Sequence, residues 1–293
     1  MKLIDMINGK SKLYGVIGYP IEHSLSPQFQ NNLNYIMNEN SVYIPIKIKE
    51  SDFEKAINGL KTLGFKGFNV TIPYKQDILH FVDDLTPDGK YAGAVNTVKI
   101  EDGKIIGHST DGKGFLNDFK RLFKTDFKGA KVLCLGFGGA SISVCKEILK
   151  ESPQTIVFAV RNIEKAKKNL SSHILFNENA KISLISLATE EFYSHIISSD
   201  IIINGTNVGM IPNANESLIL KDLLKKEHIV YDLIYNPSET LLINYAKSKG
   251  ASAETGLGML IAQGILSWEF WHNQKVKEET FEYLLKSLRS IMK

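Results

Sequence analysis

The chain has 293 residues, of which 43% are hydrophobic and 23% charged, and its net charge is +3. That length suffices for two domains with sizeable cores, and the composition argues against an extended disordered chain. The small charge, spread over scattered lysines, favours neither nucleic acid nor a membrane surface as partner. No apolar run has the length of a membrane span, and the first residues lack a signal-peptide core.

The cysteines and histidines further limit the kinds of site to expect in this chain. The two cysteines, Cys134 and Cys145, fall in a predicted buried strand and in the helix after it. This pattern indicates reduced, packed thiols in a cytoplasmic protein rather than a disulfide framework. The seven histidines show no HExxH or paired-ligand spacing, so no metal site is expected.

The first third of the chain alternates strand-like and helix-like segments. Strands are predicted at residues 12–17, 42–48 and 68–71. Residues 96–100 and 104–107 are predicted to pair as a hairpin around an Asp-Gly turn. The pattern predicts a mainly parallel α/β domain that ends with a hairpin.

Three helix starts are predicted in this part of the chain. Ser26 is expected to cap a helix whose first position is Pro27. Ser51 and Glu54 have the spacing of a capping box. Asp111 is expected to open the helix that links the first domain to the second.

Residues 131–141 (KVLCLGFGGAS) have the order of a dinucleotide fingerprint. An apolar strand-like run is followed by a turn that contains Gly136, Gly138 and Gly139, and then by a helix-like segment. Such a turn lets the backbone approach a pyrophosphate at a helix N-terminus. Ser141, small but not glycine, holds the third fingerprint position. A tight strand-to-helix turn without a ligand is the alternative.

The alternation resumes after this turn, which predicts a doubly wound Rossmann-type sheet. Its further strands are predicted at residues 155–160, 181–185, 201–204 and 229–232. Two C-terminal helices, at residues 257–272 and 278–291, are expected to return to the first domain. The predicted fold is thus α/β with two domains: residues 1–110 plus 257–293 bind substrate and carry the catalytic groups, and residues 111–256 bind a dinucleotide.

The residue after the second Rossmann strand indicates which dinucleotide is bound. An NAD site usually offers a carboxylate to the ribose there, but this chain has Arg161, with Lys165 close behind. A guanidinium can grip a 2′-phosphate with two parallel hydrogen bonds, which favours NADP. The alternative is a solvent-facing basic helix start.

Residues 69–75 (NVTIPYK) concentrate functional groups at a strand end. Asn69 and Thr71 project to one face, and Lys75 is expected near the start of a helix behind Pro73. The positive end of a helix dipole favours a neutral lysine, which makes Lys75 a candidate proton-transfer group. Taken alone, Lys75 has an ordinary surface lysine as its alternative.

The ordered set of motifs resembles the shikimate dehydrogenases, and the resemblance runs from about Gly15 to Gln263. The motifs are residues 24–27 (SLSP), 69–75 (NVTIPYK), 93–97 (GAVNT), 110–112 (TDG), 136–140 (GFGGA), 204–206 (NGT), 235–237 (YNP) and 255–260 (TGLGML).

This resemblance implies NADPH-dependent reduction of 3-dehydroshikimate to shikimate in the biosynthesis of chorismate and the aromatic amino acids. Lys75 and Asp111 match the catalytic pair. The positions that match substrate-binding residues are Ser24, Ser26, Asn69, Thr71, Lys75, Asn96, Asp111, Tyr235 and Gln263. The positions that match cofactor-binding residues are Gly136, Gly138, Gly139, Ala140, Arg161, Lys165, Thr206, Leu233 and Gly258.

Four positions depart from the family pattern. Ser109 stands where asparagine is common, Phe137 interrupts the glycine turn, and Val160 and Asn162 flank Arg161 in place of asparagine and threonine. These departures leave NAD as an alternative cofactor. The alternative functions are a quinate/shikimate dehydrogenase that uses NAD or NADP, and a non-catalytic nucleotide or metabolite sensor on the same scaffold. The expected partner is a small molecule, and the chain is expected to be a monomer or a homodimer.

Overall fold

The computed structural model describes residues 7–167 and 181–292. The described chain forms two compact units. The first comprises the residues up to 114 together with residues 261–291, and the second comprises residues 115–260. Each unit is built around its own six-stranded sheet.

The first unit contains a mixed sheet. Its strands are β1 (Lys12–Gly18), β2 (Ser41–Lys47), β3 (Gly67–Val70), β4 (Asp84–Leu85), β5 (Thr97–Glu101) and β6 (Lys104–His108), in the order β2-β1-β3-β5-β6-β4. Its first helices are α1 (Ser26–Ile36), α2 (Phe53–Thr62) and α3 (Pro87–Ala92). β1 pairs in parallel with β2 and β3, whereas β5 is antiparallel to both β3 and β6.

The predicted hairpin is confirmed as β5 and β6. Asp102 and Gly103 both have positive φ, 50° and 74°, as a two-residue hairpin turn requires. The hairpin completes the predicted mainly parallel domain.

Two predicted helix starts are wrong. α1 begins at Ser26 itself, with Leu25 before it, and no side chain caps it. Residues Glu50–Asp52 form a short 3₁₀ turn that continues into α2, so Ser51 does not act as an N-cap. Both errors arise because a capping pattern needs an extended residue just before the helix, and here the chain already turns there.

The second unit contains an all-parallel sheet. Its strands are β7 (Lys131–Leu135), β8 (Thr155–Val160), β9 (Lys181–Ser186), β10 (Ile201–Asn204), β11 (Ile229–Asp232) and β12 (Ser252–Thr255), in the order β12-β11-β10-β7-β8-β9. The helices that belong to it include α5 (Gly139–Leu149), α6 (Glu190–Ser198) and α7 (Leu241–Ser248). This order, with the first strand central and the chain wound outward both ways, is the predicted Rossmann topology.

The four inner strands of the second sheet, β7, β8, β10 and β11, are buried on both faces, which explains their continuous apolar sequences. Along β7, Val132 and Cys134 pack on one side, and Leu133 and Leu135 pack on the other. Cys134 and Cys145 are free, buried thiols, as predicted.

Two helices carry the chain between the units. α4 (Asp111–Phe123) leaves the first unit, and α8 (Leu257–His272) returns to it. The last helix, α9 (Glu278–Ile291), buries Leu284, Leu285 and Leu288 and packs against α1. The C-terminal helices therefore return to the first unit, as the sequence predicts.

Within residues 7–167 and 181–292, no helix combines the length and the apolar character needed to cross a membrane.

Candidate active site

Lys75 and Asp111 form an ion pair in the first unit. The Lys75 ammonium donates to Asp111 Oδ2, and the two side chains are 18% and 7% exposed. Asp111 is the first residue of α4, and the Lys75 carbonyl accepts from the Val95 N–H at 3.0 Å. The pair is largely shielded from water, yet the lysine remains accessible.

The regular helix that the sequence predicts behind Pro73 does not form. Residues 72–76 form turns, and the segment that follows is a 3₁₀ helix, Asp77–His80. Lys75 therefore lies in the turn before a single short 3₁₀ helix and gains little from a helix dipole, which acts only near the end of a regular helix. The charge that acts on Lys75 is the Asp111 carboxylate.

Asn96 holds the other oxygen of Asp111. Its amide nitrogen donates to Asp111 Oδ1 at 2.8 Å. Its side-chain oxygen, Oδ1, accepts from the Thr110 N–H at 2.9 Å and from the Thr97 hydroxyl at 3.0 Å. Two donors on Oδ1 determine which way the carboxamide faces, so its NH₂ group is directed at Asp111. Gln263 Oε1 also lies 3.1 Å from that nitrogen.

Asn69 is oriented in the same manner. Its amide nitrogen faces three acceptors: the main-chain carbonyl of Asn96 at 2.9 Å, Ser267 Oγ at 3.0 Å and Thr97 Oγ1 at 3.1 Å. Its Oδ1 accepts from the Tyr43 hydroxyl at 2.7 Å. The carboxamide is thus held by the protein at both ends.

Four residues of this network were missed by the sequence analysis: Tyr43, Thr97, Thr110 and Ser267. All four are buried. Three of them could have been found from their sequence positions beside predicted site residues. Thr97 and Thr110 adjoin Asn96 and Asp111, and Ser267 lies one helical turn after Gln263. Tyr43 carries no such signal, since its contacts depend on how the strands align.

The remaining predicted substrate residues of this unit lie at the ends of its strands and helices. The Ser26 N–H donates to Ser24 Oγ at 3.3 Å at the start of α1. Thr71 follows β3, and its methyl group lies against Gly18, at the end of β1, so closely that a Cβ on Gly18 would approach it to 2.5 Å. Tyr235 belongs to the second unit, where burial raises its pKa.

The glycine turn of the second unit follows β7. Gly136 has a φ of +86°, and Gly138 immediately precedes α5, which begins at Gly139 and continues through Ala140. No side chain caps this helix, and a Cβ on Gly138 would meet open space. The first-turn N–H groups are therefore available to an anion, so the turn fits a dinucleotide pyrophosphate.

Predicted cofactor residues line a cavity of about 280 Å³ beside this turn. Those that line it are Gly136, Gly138, Arg161, Lys165 and Thr206. The Arg161 and Lys165 side chains are exposed. Asn162, a departure from the family pattern, accepts from the Lys165 N–H at 2.9 Å and thereby caps the next helical turn.

Phe137, the unexpected residue within the turn, also lines the cavity. Its ring packs edge-on against Phe158 of β8, with the centroids 4.7 Å apart. An aromatic side chain here therefore serves the packing between turn and sheet.

A buried carboxylate supports the far side of the cavity. The Thr206 hydroxyl donates to Asn204 Oδ1 at 2.7 Å, and the Asn204 amide donates to Asp232 Oδ1 at 3.0 Å. Burial raises the pKa of Asp232 to about 6 although it accepts several hydrogen bonds. Leu233 follows Asp232, and its N–H donates to the Asn204 carbonyl at 2.9 Å.

Gly258 lies in the first turn of α8 against a buried carboxylate. A Cβ on this residue would come within 2.1 Å of Asp118 Oδ1. Only glycine fits this close approach between α4 and α8.

The family model and the curated relatives that match this chain are shikimate dehydrogenases. The domain family described as "Shikimate dehydrogenase substrate binding domain" matches residues 16–98. The NADP(+) shikimate dehydrogenase of Caldanaerobacter subterraneus is 40% identical over 265 residues, which cover 90% of this chain and 93% of that protein. The NADP(+) shikimate dehydrogenase of Methanococcus aeolicus is 41% identical, with coverage of 92% and 95%.

Solved structures with the same fold include shikimate dehydrogenases and a quinate dehydrogenase. A shikimate dehydrogenase crystallised with NADP+ superposes with a TM-score of 0.84 at 36% identity and 96% coverage of both chains. The Listeria monocytogenes shikimate 5-dehydrogenase, in complex with shikimate and NAD, has a TM-score of 0.84 at 31% identity, with coverage of 96% and 98%. A quinate dehydrogenase from Corynebacterium glutamicum in complex with NAD has a TM-score of 0.85 at 25% identity, with coverage of 96% and 99%.

Proposed function

This chain belongs to the shikimate dehydrogenase family, and we propose that it interconverts 3-dehydroshikimate and shikimate with NADP as cofactor, in chorismate and aromatic amino acid biosynthesis. The observation that carries the proposal is the shielded Lys75–Asp111 pair, with Asn96 holding the second carboxylate oxygen. An enzyme that protonates a ketone oxygen needs such an acid in a fixed place.

The residues around this pair suit a polyhydroxylated acid. Such a substrate needs neutral donors and acceptors for its hydroxyls and a fixed set of donors for its carboxylate. We assign the carboxylate to Ser24 and Ser26, and the ring hydroxyls to the amides and hydroxyls of Asn69, Thr71, Asn96, Tyr235 and Gln263.

When bound, NADPH supplies the hydride that reduces the carbonyl carbon. Lys75, as the ammonium, donates a proton to the carbonyl oxygen as that oxygen becomes a hydroxyl. Asp111 orients Lys75 and accepts a hydrogen bond from the same hydroxyl. In the reverse direction, neutral Lys75 removes the hydroxyl proton.

The second unit holds the cofactor in this proposal. The turn from Gly136 to Ala140 would receive the pyrophosphate. Arg161, with Lys165 nearby, would grip the 2′-phosphate, as planar guanidinium groups do. Thr206, Leu233 and Gly258 would lie along the nicotinamide half.

The alternative within the family is a quinate/shikimate dehydrogenase that also uses NAD. It is favoured by one feature, the replacement of the family's asparagine and threonine by Val160 and Asn162. The alternative of another class, a sensor without catalysis, would leave Lys75 and Asp111 without a role.

The deciding experiment crosses shikimate and quinate with NADP and NAD and follows nicotinamide absorbance. Turnover confined to shikimate with NADP supports the proposal. Turnover with quinate or NAD would favour the broader dehydrogenase, and binding without turnover would favour the sensor.

The role of Lys75 is tested by Lys75→Ala. Loss of a general acid reduces turnover by a factor of about 10²–10⁴, whereas NADPH affinity, measured by fluorescence titration, should be retained. The matched control is Lys99→Ala, because Lys99 forms an ion pair with Glu101 in the same sheet. Equal turnover in Lys75→Ala and the wild type would overturn the assignment.

We further propose that the chain works in the cytoplasm, where the free thiols Cys134 and Cys145 stay reduced, and that it is a monomer or a homodimer. Light scattering on the purified protein tests the assembly state.

A further inference from the structure

The hydroxyl of Tyr43 lies between two residues of the proposed substrate site. Tyr43 is in β2 and is only 2% exposed. Its hydroxyl donates to Asn69 Oδ1 at 2.7 Å, and the Ser26 side chain is its other polar neighbour. A buried phenol in this position joins residues from β3 and from the start of α1.

The Tyr43 hydroxyl supplies the donor that the Asn69 side-chain oxygen needs. The Asn69 amide nitrogen must face the Asn96 carbonyl, 2.9 Å away, so its oxygen points toward Tyr43 and needs a donor there. Asn69 is itself only 8% exposed, so water does not readily replace a lost donor.

Tyr43 is itself held firmly. The side chain of Asn31, in α1, accepts from the Tyr43 N–H at 2.9 Å and donates to the Tyr43 carbonyl at 2.7 Å. The Tyr43 ring lies against Trp271, with the centroids 6.1 Å apart. The backbone of Tyr43 is therefore held by α1, the helix whose first residue is Ser26, and its ring is held by Trp271.

We propose that Tyr43 is a positioning residue for substrate binding, an inference that rests on the function proposed for this site. Its hydroxyl keeps Ser26 and Asn69 in one fixed arrangement, so that the substrate carboxylate and a ring hydroxyl are received together. The Tyr43 hydroxyl is linked to Asp111 only indirectly, through Asn69 and Asn96, so we expect the chemical step to depend little on Tyr43.

Tyr43→Phe tests this inference because it removes one oxygen and leaves the ring. We expect KM for shikimate to rise about tenfold, as when a buried acceptor loses its donor. We expect kcat to stay within about threefold, and KM for NADP and the pH profile of kcat to be unchanged.

The matched control is Tyr14→Phe. Tyr14 is 3% exposed and belongs to the same cluster, with its ring 4.9 Å from that of Trp271, but its charged neighbour is Glu39. This variant should keep the wild-type KM for shikimate. Melting temperatures of both variants, measured first, establish that both are folded.

An unchanged KM for shikimate in Tyr43→Phe overturns the inference. A fall in kcat with a shifted pH profile also overturns it, since Tyr43 would then act on the catalytic pair. If the wild type does not turn over shikimate, the proposed function fails separately. Calorimetric titration of both proteins with shikimate then decides: about tenfold weaker binding by the variant upholds the role of Tyr43, and equal or absent binding removes it.

Discussion

The two carboxylate oxygens of Asp111 have different partners. Oδ2 receives the Lys75 ammonium, and Oδ1 receives the Asn96 amide, which is itself oriented by Thr97 and Thr110. The carboxylate therefore cannot rotate without breaking a bond in a nearly buried place. The lysine is presented in one direction, as proton transfer to a bound ketone requires.

Among single residues, Arg161 is expected to determine the preference for NADP. Arg161→Gln removes the planar cation beside the cavity, so KM for NADP should rise about ten- to a hundredfold, the effect of losing hydrogen bonds to a charged group. KM for NAD, which lacks the 2′-phosphate, should change little. Steady-state kinetics with both cofactors measure the difference.

Lys167→Gln is the control for Arg161, because Lys167 is an exposed cation paired with Glu164 at 3.1 Å. It should leave both KM values unchanged. An equal rise in KM for NADP and for NAD in Arg161→Gln would show that this arginine does not bind the 2′-phosphate.

At the scale of elements, the packing of α5 beside the end of β10 explains why Ser141 can replace the third glycine of the fingerprint. The Ser141 hydroxyl donates to the Gly205 carbonyl at 3.4 Å. A Cβ on Gly205 would lie 2.0 Å from Ser141 Oγ. The close helix–strand approach that the third fingerprint glycine normally permits is thus achieved by a glycine that directly follows the opposite strand.

This arrangement predicts that Gly205→Ala destabilises the protein by about 1–3 kcal/mol through overpacking. Ser141→Ala in the same chain removes the atom that clashes, so the double variant should be more stable than the sum of the two single effects by about 1 kcal/mol or more. Urea unfolding of the four proteins gives the coupling energy.

Gly59→Ala serves as the reference substitution, because a Cβ on Gly59 of α2 meets no atom within 4 Å. It should be neutral or stabilising, as alanine is favoured within helices. Strictly additive effects at positions 141 and 205 would contradict the close contact.

At the scale of the whole molecule, buried titratable groups make opposite contributions to stability. Desolvation raises the pKa of Asp232 to about 6, so between about pH 4 and pH 6 the folded chain holds a proton that the unfolded chain has lost. This contribution falls as pH rises. Desolvation lowers the pKa of His108 to about 4, so its contribution rises with pH over the same interval.

Asp232→Asn separates the two contributions. The unfolding free energy of this variant, relative to the wild type, should increase by about 3 kcal/mol between pH 4 and pH 7. Asparagine can keep the bonds from the Ile234 N–H and the Asn204 amide and can donate to Thr240. Urea unfolding at several pH values measures the change.

Asp222→Asn is the comparison for this titration. Asp222 is exposed, and its bond to Lys249 lowers its pKa, so a difference in its ionisation between the two states is confined to the acid end of this interval. Its relative stability should vary little between pH 4 and pH 7. A similarly flat result for Asp232→Asn would contradict the raised pKa.

The sequence by itself determined the features that depend on neighbouring residues. Continuous apolar runs identified the central strands of the parallel sheet, because both faces of those strands are buried. The edge strand β12, with the polar sequence SAET, was not predicted. The Asp102–Gly103 pair predicted its hairpin, and Gly136 to Gly139 predicted the turn before α5, because few other residues adopt those backbone angles. The motif order was sufficient to indicate the family.

The tertiary structure alone decided how distant groups meet. Asn69 and Ser267 are 198 positions apart in the chain, and Tyr43 reaches Asn69 only because of how β2, β1 and β3 align. The same holds for Ser141 and Gly205, whose contact depends on the distance between a helix and a strand. Local patterns also misplaced Ser26, Ser51 and Lys75, because the chain already turns where each pattern assumes an extended residue or a new helix. Such contacts arise from strand register and helix packing, which no short stretch of sequence encodes.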